Sequence, residues 1–412
     1  AAKNLRSLLL NNINDAKIPS LEKLILGFGS LRVLYFCSPW FIQSSPIEVI
    51  PDSIGRMIHL RYLNFSNSDI KYLPSGITRL NNLQTLKLNF CRYLQDLPRG
   101  FTKLTNLRHL GLRGCPLTEM PRNFGRMKSL REMNTFIIGK NNGLDALADL
   151  NIRGELEIIC RTWRTNDVLE AKRANLKEKT QLTSFSLRFE YQGEETTVAT
   201  RDDGQLLESL HLTISPKHLY FSGLRGNRFP HCMVKELPKR VKICIHQCKT
   251  CRVLPLFSQL PLLKNLSLQD LSNVEYIEEA DGKSGCSTYF PALESLELIN
   301  MPKLKCWVKL EDKDKLQPSH NDVFPRLKSL YISHCDNLTT LPSLLTIESL
   351  WANDLQWQLW KSILTSKKTT SAASSSPPTL PIKRMPLNWV FGDVQRLPPP
   401  LVRRWQLGPH PR

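Results

Sequence analysis

Apolar residues return along this chain in the spacing L-x-x-L-x-L, starting at Leu5, Leu31, Leu60, Leu83, Leu107 and Leu130, with 23 to 29 residues between starts. The fourth and sixth positions are Leu8 and Leu10, Leu34 and Phe36, Leu63 and Phe65, Leu86 and Leu88, Leu110 and Leu112, then more weakly Met133 and Thr135. Two apolar residues separated by one polar residue share a face of an extended strand, so each unit predicts one short strand. A unit this small cannot bury its apolar face alone. Successive units therefore stack, pairing strands in parallel at about 4.8 Å with the leucines in a continuous interior column.

After each strand comes another apolar residue followed by proline, at Ile50-Pro51, Leu73-Pro74, Leu97-Pro98 and Met120-Pro121. Proline fixes φ and donates no hydrogen bond, which suits a turn leaving the sheet. Segments such as Asp52–Leu60 and Ser75–Leu83 are expected on the far side as loop or short helix. The same frame returns at Leu263-Leu266-Leu268, Leu293-Leu296-Leu298 and Leu327-Leu330-Ile332, and through Ile243, Ile245 and Cys248. Weaker copies fit Leu182-Phe185-Leu187, Leu207-Leu210-Leu212 and Ile347-Leu350-Ala352. The fold class is therefore α/β, a leucine-rich-repeat solenoid with a curved parallel sheet on the concave side and loops and short helices on the convex side. Four regions are expected: regular repeats over 1–135, irregular repeats with longer excursions over 136–235, further repeats over 236–360, and a disordered tail over 361–412.

Charge changes the picture mainly by its placement. Lys and Arg outnumber Asp and Glu by 56 to 37, but residues 361–412 hold nine basic residues against Asp393, or +8 of the net +19. That tail is rich in Ser and Pro and cannot bury enough surface to fold alone. The body is only moderately basic. Within it, basic residues follow the first repeat leucine at Arg6, Arg32, Arg61, Arg108, Arg131, Lys264 and Lys328, interrupted by Gln84 and Glu294. Stacking places them in a row at one margin of the concave sheet, joined by Lys87 and Arg113, where they read either as a surface for an acidic partner or as simple solvation of a repeated outward position. Nucleic acid is disfavoured, because the exposed strand positions lack an interleaved aromatic platform.

Other candidate chemistry is weaker. His231, Cys232, Cys244, His246, Cys248 and Cys251 cluster in sequence, but without the paired C-x2-C modules of a structural zinc site. Cys248 instead takes the repeat slot of Cys91, Cys115 and Cys335, where a small buried side chain is expected. Gly282-Lys283-Ser284 resembles the end of a phosphate loop, yet Ile277 stands where its first glycine is needed. No nucleophile, base and orienting group can be assigned to one place, so no enzyme is expected. The N-x-[ST] triplets at Asn64, Asn265 and Asn337 read as chance. Eleven cysteines without a framework spacing suggest a reduced, cytoplasmic protein, with nuclear or peripheral membrane placement as alternatives, and no apolar run is long enough for a membrane span. A start at Ala1 that enters a repeat by Leu5 reads as a piece of a longer protein.

Several stretches carry more than the bare repeat. Arg153-Gly154-Glu155-Leu156-Glu157-Ile158, Glu170-Ala171-Lys172-Arg173-Ala174-Asn175-Leu176-Lys177, and Leu260-Pro261-Leu262-Leu263-Lys264-Asn265-Leu266 with Val274-Glu275-Tyr276-Ile277 resemble signatures of plant coiled-coil nucleotide-binding leucine-rich-repeat disease-resistance proteins. The resemblance implies the repeat domain of an intracellular immune receptor that senses a pathogen effector or a modified, guarded host protein. It also implies that early repeats pack against the receptor's own nucleotide-binding domain and hold it at rest. ADP or ATP would bind that upstream domain, and this chain holds no cofactor. On this reading Arg32, Arg61, Lys87, Arg108, Arg113 and Arg131 face the switch domain, while a later surface with Tyr331 and His334 contributes to recognition. The alternative is a substrate adaptor or scaffold, for example for a ubiquitin ligase.

Overall fold

The computed structural model describes residues 4–11, 21–37, 47–140, 142–161, 167–190, 203–211, 216–230, 242–257, 260–279, 290–309, 323–339 and 347–353. The tail 361–412, the pair His231 and Cys232, and the Gly282-Lys283-Ser284 segment lie outside the described residues.

Among the described residues, one short strand per repeat builds two parallel sheets. The first runs β1 (Ser7–Asn11), β2 (Val33–Cys37), β3 (Tyr62–Asn64), β4 (Thr85–Lys87), β5 (His109–Gly111) and β6 (Glu132–Met133). The second takes β7 (Thr135–Ile138), β8 (Gly154–Cys160), β9 (Leu182–Phe189), β10 (His218–Ser222), β11 (Lys242–His246) and β12 (Asn265–Gln269) in order. Beyond β12 the chain alternates between two layers. β13 (Tyr276–Glu279) pairs with β15 (Cys306–Lys309) in a separate two-stranded sheet, while β14 (Ser295–Ile299), β16 (Ser329–Ser333) and β17 (Ser349–Asn353) extend the main one. Register follows the repeat frame, with Leu34 beside Leu63, Leu63 beside Leu86 and Leu86 beside Leu110. All four are buried in one continuous apolar core. The expected solenoid is the observed one.

Short 3-10 turns follow the prolines, at Asp52–Arg56, Ser75–Arg79, Phe101–Lys103 and Phe124–Arg126. Pro51, Pro74 and Pro98 lack a donor, but their carbonyls accept from Ile54, Ile77 and Phe101 at 3.0–3.2 Å and close each turn. Adjacent turns are bridged where the Asp52 carboxylate accepts from the Ser75 hydroxyl at 2.9 Å, from the Gly76 amide and from Arg79 at 2.8 Å.

The strand exit is equally regular. The eighth repeat position has positive φ at Asn67, Phe90, Gly114, Gly223, Gln247, Asp270, Asn300 and His334. At this corner the amide of Asn67, Gln247, Asp270 or Asn300 donates to a carbonyl of the next repeat at 2.8–3.0 Å. Gly223 is the tightest corner, with φ of +71° and a Cβ position 2.3 Å from the Phe189 carbonyl oxygen. Gly223→Ala therefore combines a left-handed backbone with a clash against main chain. A loss of about 2 kcal/mol or more is expected in thermal or urea melts, and an unchanged midpoint would refute this account of the corner.

The next position carries the small side chain. Cys91, Cys115, Cys248 and Cys335 are buried, as their shared slot predicts. The Cys91 and Cys115 thiols donate to the carbonyls of Phe65 and Leu88 in the preceding repeat, at 3.2 and 2.9 Å. Burial pushes the Cys335 thiol up to about 11, so it stays protonated and inert near neutrality.

Two expectations need correction. Leu207 and Leu210 do not mark a strand, and Leu212 lies outside the described residues: a helix covers Gly204–Ser209, with Leu206, Leu207 and Leu210 buried, and the strand of that repeat is β10. Leucines at i, i+1 and i+4 share a helix face, which the i, i+3 part of the strand template also admits. The strand β8 had no place in the frame, because three residues instead of two separate buried Ile152 from Leu156. A register shift at Gly154/Glu155, with Gly154 at φ of +73°, absorbs the extra residue.

Candidate binding surface

The margin row is real and backbone-aligned. Amides of Arg32, Arg61, Gln84, Arg108 and Arg131 donate to carbonyls of Arg6, Arg32, Arg61, Gln84 and Arg108 at 2.7–2.9 Å. Side chains at this position are therefore neighbours across strands about 4.8 Å apart. Arg6, Arg32, Arg61, Arg108 and Arg131 are all exposed, and none has an acidic partner within ion-pair distance among the described residues.

Lys87 and Arg113 stand differently. Lys87 lies one strand row inward with its amine 6.0 Å from the centre of the Tyr62 ring. Arg113 pairs with Glu155, so its charge is met within the chain.

At the far end of the second sheet the same margin alternates in sign. Backbone bonds of 2.8–2.9 Å align Lys264, Glu294, Lys328 and Glu348 in one file. Lys264 pairs with Glu294, whose carboxyl is held below its usual range by that bond and by the nearby Lys328 and Arg326. One margin thus carries unmet positive charge, and its continuation neutralises itself.

Between these stretches the open face carries partly buried ion pairs. Arg188 on β9 reaches Glu157 on β8 and Glu190, and Arg161 joins Glu190 at 3.4 Å while donating to the Leu117 carbonyl. Further along, the His246 ring links three repeats: Nε2 is 2.9 Å from Asp270, and Nδ1 is 3.2 and 3.4 Å from the hydroxyls of Tyr220 and Ser222. Ser222 is only 3% exposed, so this hydroxyl–imidazole–carboxylate file braces neighbouring repeats from a buried serine. The His246 bond holds the Asp270 carboxyl below its usual range, helped by a 2.6 Å bond from Asn300. Its contribution to stability is present above the ordinary carboxylate pKa and is lost as pH falls through the lowered folded value.

Tyr331 and His334 separate in the structure. Tyr331 lies on the open face of β16, where burial pushes its hydroxyl up to about 12. His334 occupies the left-handed corner after the strand, with Nδ1 2.7 Å from the Ser333 hydroxyl. Sequence reasoning missed Trp351, which stacks on Tyr331, and Glu297, the register neighbour of Tyr331 on β14. Both could have been found by reading the fifth position of each repeat as one column.

Among the described residues no group of three or more His, Cys, Asp or Glu could hold a metal ion, and no helix is long and apolar enough to cross a membrane. The family signatures have structural reasons. Leu156 and Ile158 of the first are core residues of β8, and Ala171, Ala174 and Leu176 of the second are buried around the helix Asp167–Arg173. Just beyond it, Lys179 is buried and donates to the carbonyls of Leu150 and Ala148 at 2.8 and 3.4 Å.

A family described as leucine-rich repeat region matches residues 4–357. The putative disease resistance protein RGA4 of Solanum bulbocastanum is 35% identical over 338 residues, covering 81% of this chain and 32% of that protein. The putative disease resistance RPP13-like protein 1 of Arabidopsis thaliana is 33% identical over 343 residues, covering 79% of this chain and 31% of its own length. The chain spans about a third of the length of these curated relatives. Among solved structures, a leucine-rich-repeat protein of Leptospira interrogans, LIC12759, aligns with a TM-score of 0.48 and 17% identity over 90% of each chain. From its repeat geometry and the family match over nearly the whole repeat array, the chain belongs to the leucine-rich repeat region family, and it is similar to plant disease resistance proteins.

Proposed function

We propose that this chain is the protein-recognition and autoinhibitory repeat domain of a plant immune receptor. Its basic margin holds an acidic face of the receptor's own nucleotide-binding domain at rest, and its later open face senses a pathogen effector or a modified host protein. The observation that carries the proposal is the contrast along one margin: five arginines with no acidic partner among the described residues in the first sheet, and an alternating Lys–Glu file at the far end of the second. Like charges on adjacent strands repel, costing about 0.2–1 kcal/mol per pair, and a partner's carboxylates would relieve that cost.

Mixing the chain with the isolated nucleotide-binding domain over a salt series tests this. Association at low ionic strength that fades as salt rises is expected, with the Arg61→Glu and Arg108→Glu pair of substitutions weakening it further. Arg61→Gln is expected to leave the chain's own stability unchanged or raise it by a few tenths of a kcal/mol while weakening association. Absence of association at low salt would overturn the autoinhibitory half of the proposal.

A further inference from the structure

β14, β16 and β17 set a carboxylate, a phenol and an indole side by side, because Glu297 is in register with Tyr331 and Tyr331 with Trp351. The alternating neighbours Leu296, Leu298, Leu330 and Ile332 are buried, so these three side chains stand on the open face. Tyr331 and Trp351 stack with ring centres 4.2 Å apart and planes 18° from parallel, and Trp351 remains 45% exposed. A half-exposed indole already stacked on a phenol is a preformed aromatic surface whose ordering cost is met before any ligand arrives.

The charge beside it is unmet. Three carboxylates on this part of the molecule have partners: Asp270 has His246, Glu275 has Lys305 at 2.7 Å, and Glu294 has Lys264. Glu297 has neither an ion pair nor a hydrogen bond among the described residues. The adjoining outward positions Ser295 and Ser329, in register with each other, carry small side chains.

We propose that Glu297, Tyr331 and Trp351 form a receptor site for a guanidinium group, an arginine side chain presented by a protein partner. A planar guanidinium stacks on an aromatic face, drawn by the ring quadrupole, while its N–H fork reaches a carboxylate at its edge. An ammonium satisfies the charge but not the stacking. A sugar satisfies the stacking but gives Glu297 no countercharge. The inference rests on the reading of the later open face as a recognition surface and specifies its chemistry, which is opposite in sign to that of the basic margin.

The test is to select a random displayed peptide library on the immobilised full chain, then titrate synthetic copies of the enriched peptides. Enrichment of an arginine is expected, and replacing it with citrulline should weaken binding by roughly tenfold or more. The variants E297Q and W351A should lose the same peptides to a similar degree while melting at the wild-type temperature. If the enriched peptides share no arginine, or bind E297Q as tightly as wild type, the guanidinium site is overturned. Loss on W351A alone would then leave the recognition surface standing, whereas no enrichment, or equal binding to both variants, would remove the surface as well.

Discussion

Replacing Phe136 with alanine is expected to destabilise the chain by roughly 3–5 kcal/mol. Phe136 is fully buried on β7 and meets Phe124, of the preceding 3-10 turn, edge-to-face at 6.0 Å and 62°. Truncation removes that contact and opens a cavity where one sheet ends and the next begins. Stability in a stacked array is a sum of unit and interface contributions, so the damage should be local at first. Hydrogen exchange should show amides of β5 to β8 losing protection before those of β11 to β16. A urea midpoint equal to that of the wild type would sink this prediction.

The second large effect is expected at Asn134, which stands between β6 and β7. In regular repeats the amide of Phe65 donates to the Lys87 carbonyl at 2.9 Å and that of Leu88 to the Gly111 carbonyl at 2.8 Å. At the junction the backbone carbonyl of Asn134 turns to Glu157 at 3.0 Å, and its side-chain oxygen takes over for the Leu112 amide at 2.8 Å. Its side-chain nitrogen meets the Asn89 oxygen at 2.9 Å, and that oxygen also accepts from the Arg113 amide at 3.0 Å. Asn134→Ala strands the Leu112 amide and breaks this file, for about 2–4 kcal/mol. Asn134→Asp keeps an acceptor for Leu112 but sets a second oxygen against Asn89, so it should recover only part of the loss. Equal stability of the alanine variant and the wild type would show that the side chain does not join the sheets.

Much of this fold was legible in the sequence because its rules are local. The strand at Leu86 and Leu88 follows from period-two alternation, and the turn at Pro74 from a residue that cannot donate. The buried cysteine slot follows from counting eight residues past the first leucine. Reading failed where a local spacing had two solutions, as at Leu207, or where an inserted residue broke the count, as before Leu156. The candidate site was legible in half. Counting one position past each leucine found the arginine margin, but not whether each charge was met, since the partner of Arg113 lies 42 residues away at Glu155 and that of Lys264 lies 30 away at Glu294.

By itself, then, the sequence determined the leucine column, the side of the sheet each residue takes and the order in which the units stack, because those depend on alternation and repeat length along the chain. The tertiary structure decided which charges are neutralised, where one ladder hands over to the next at Asn134, and that Glu297, Tyr331 and Trp351 stand together. These depend on lateral register between repeats of unequal length, and register emerges only when the strands are laid side by side.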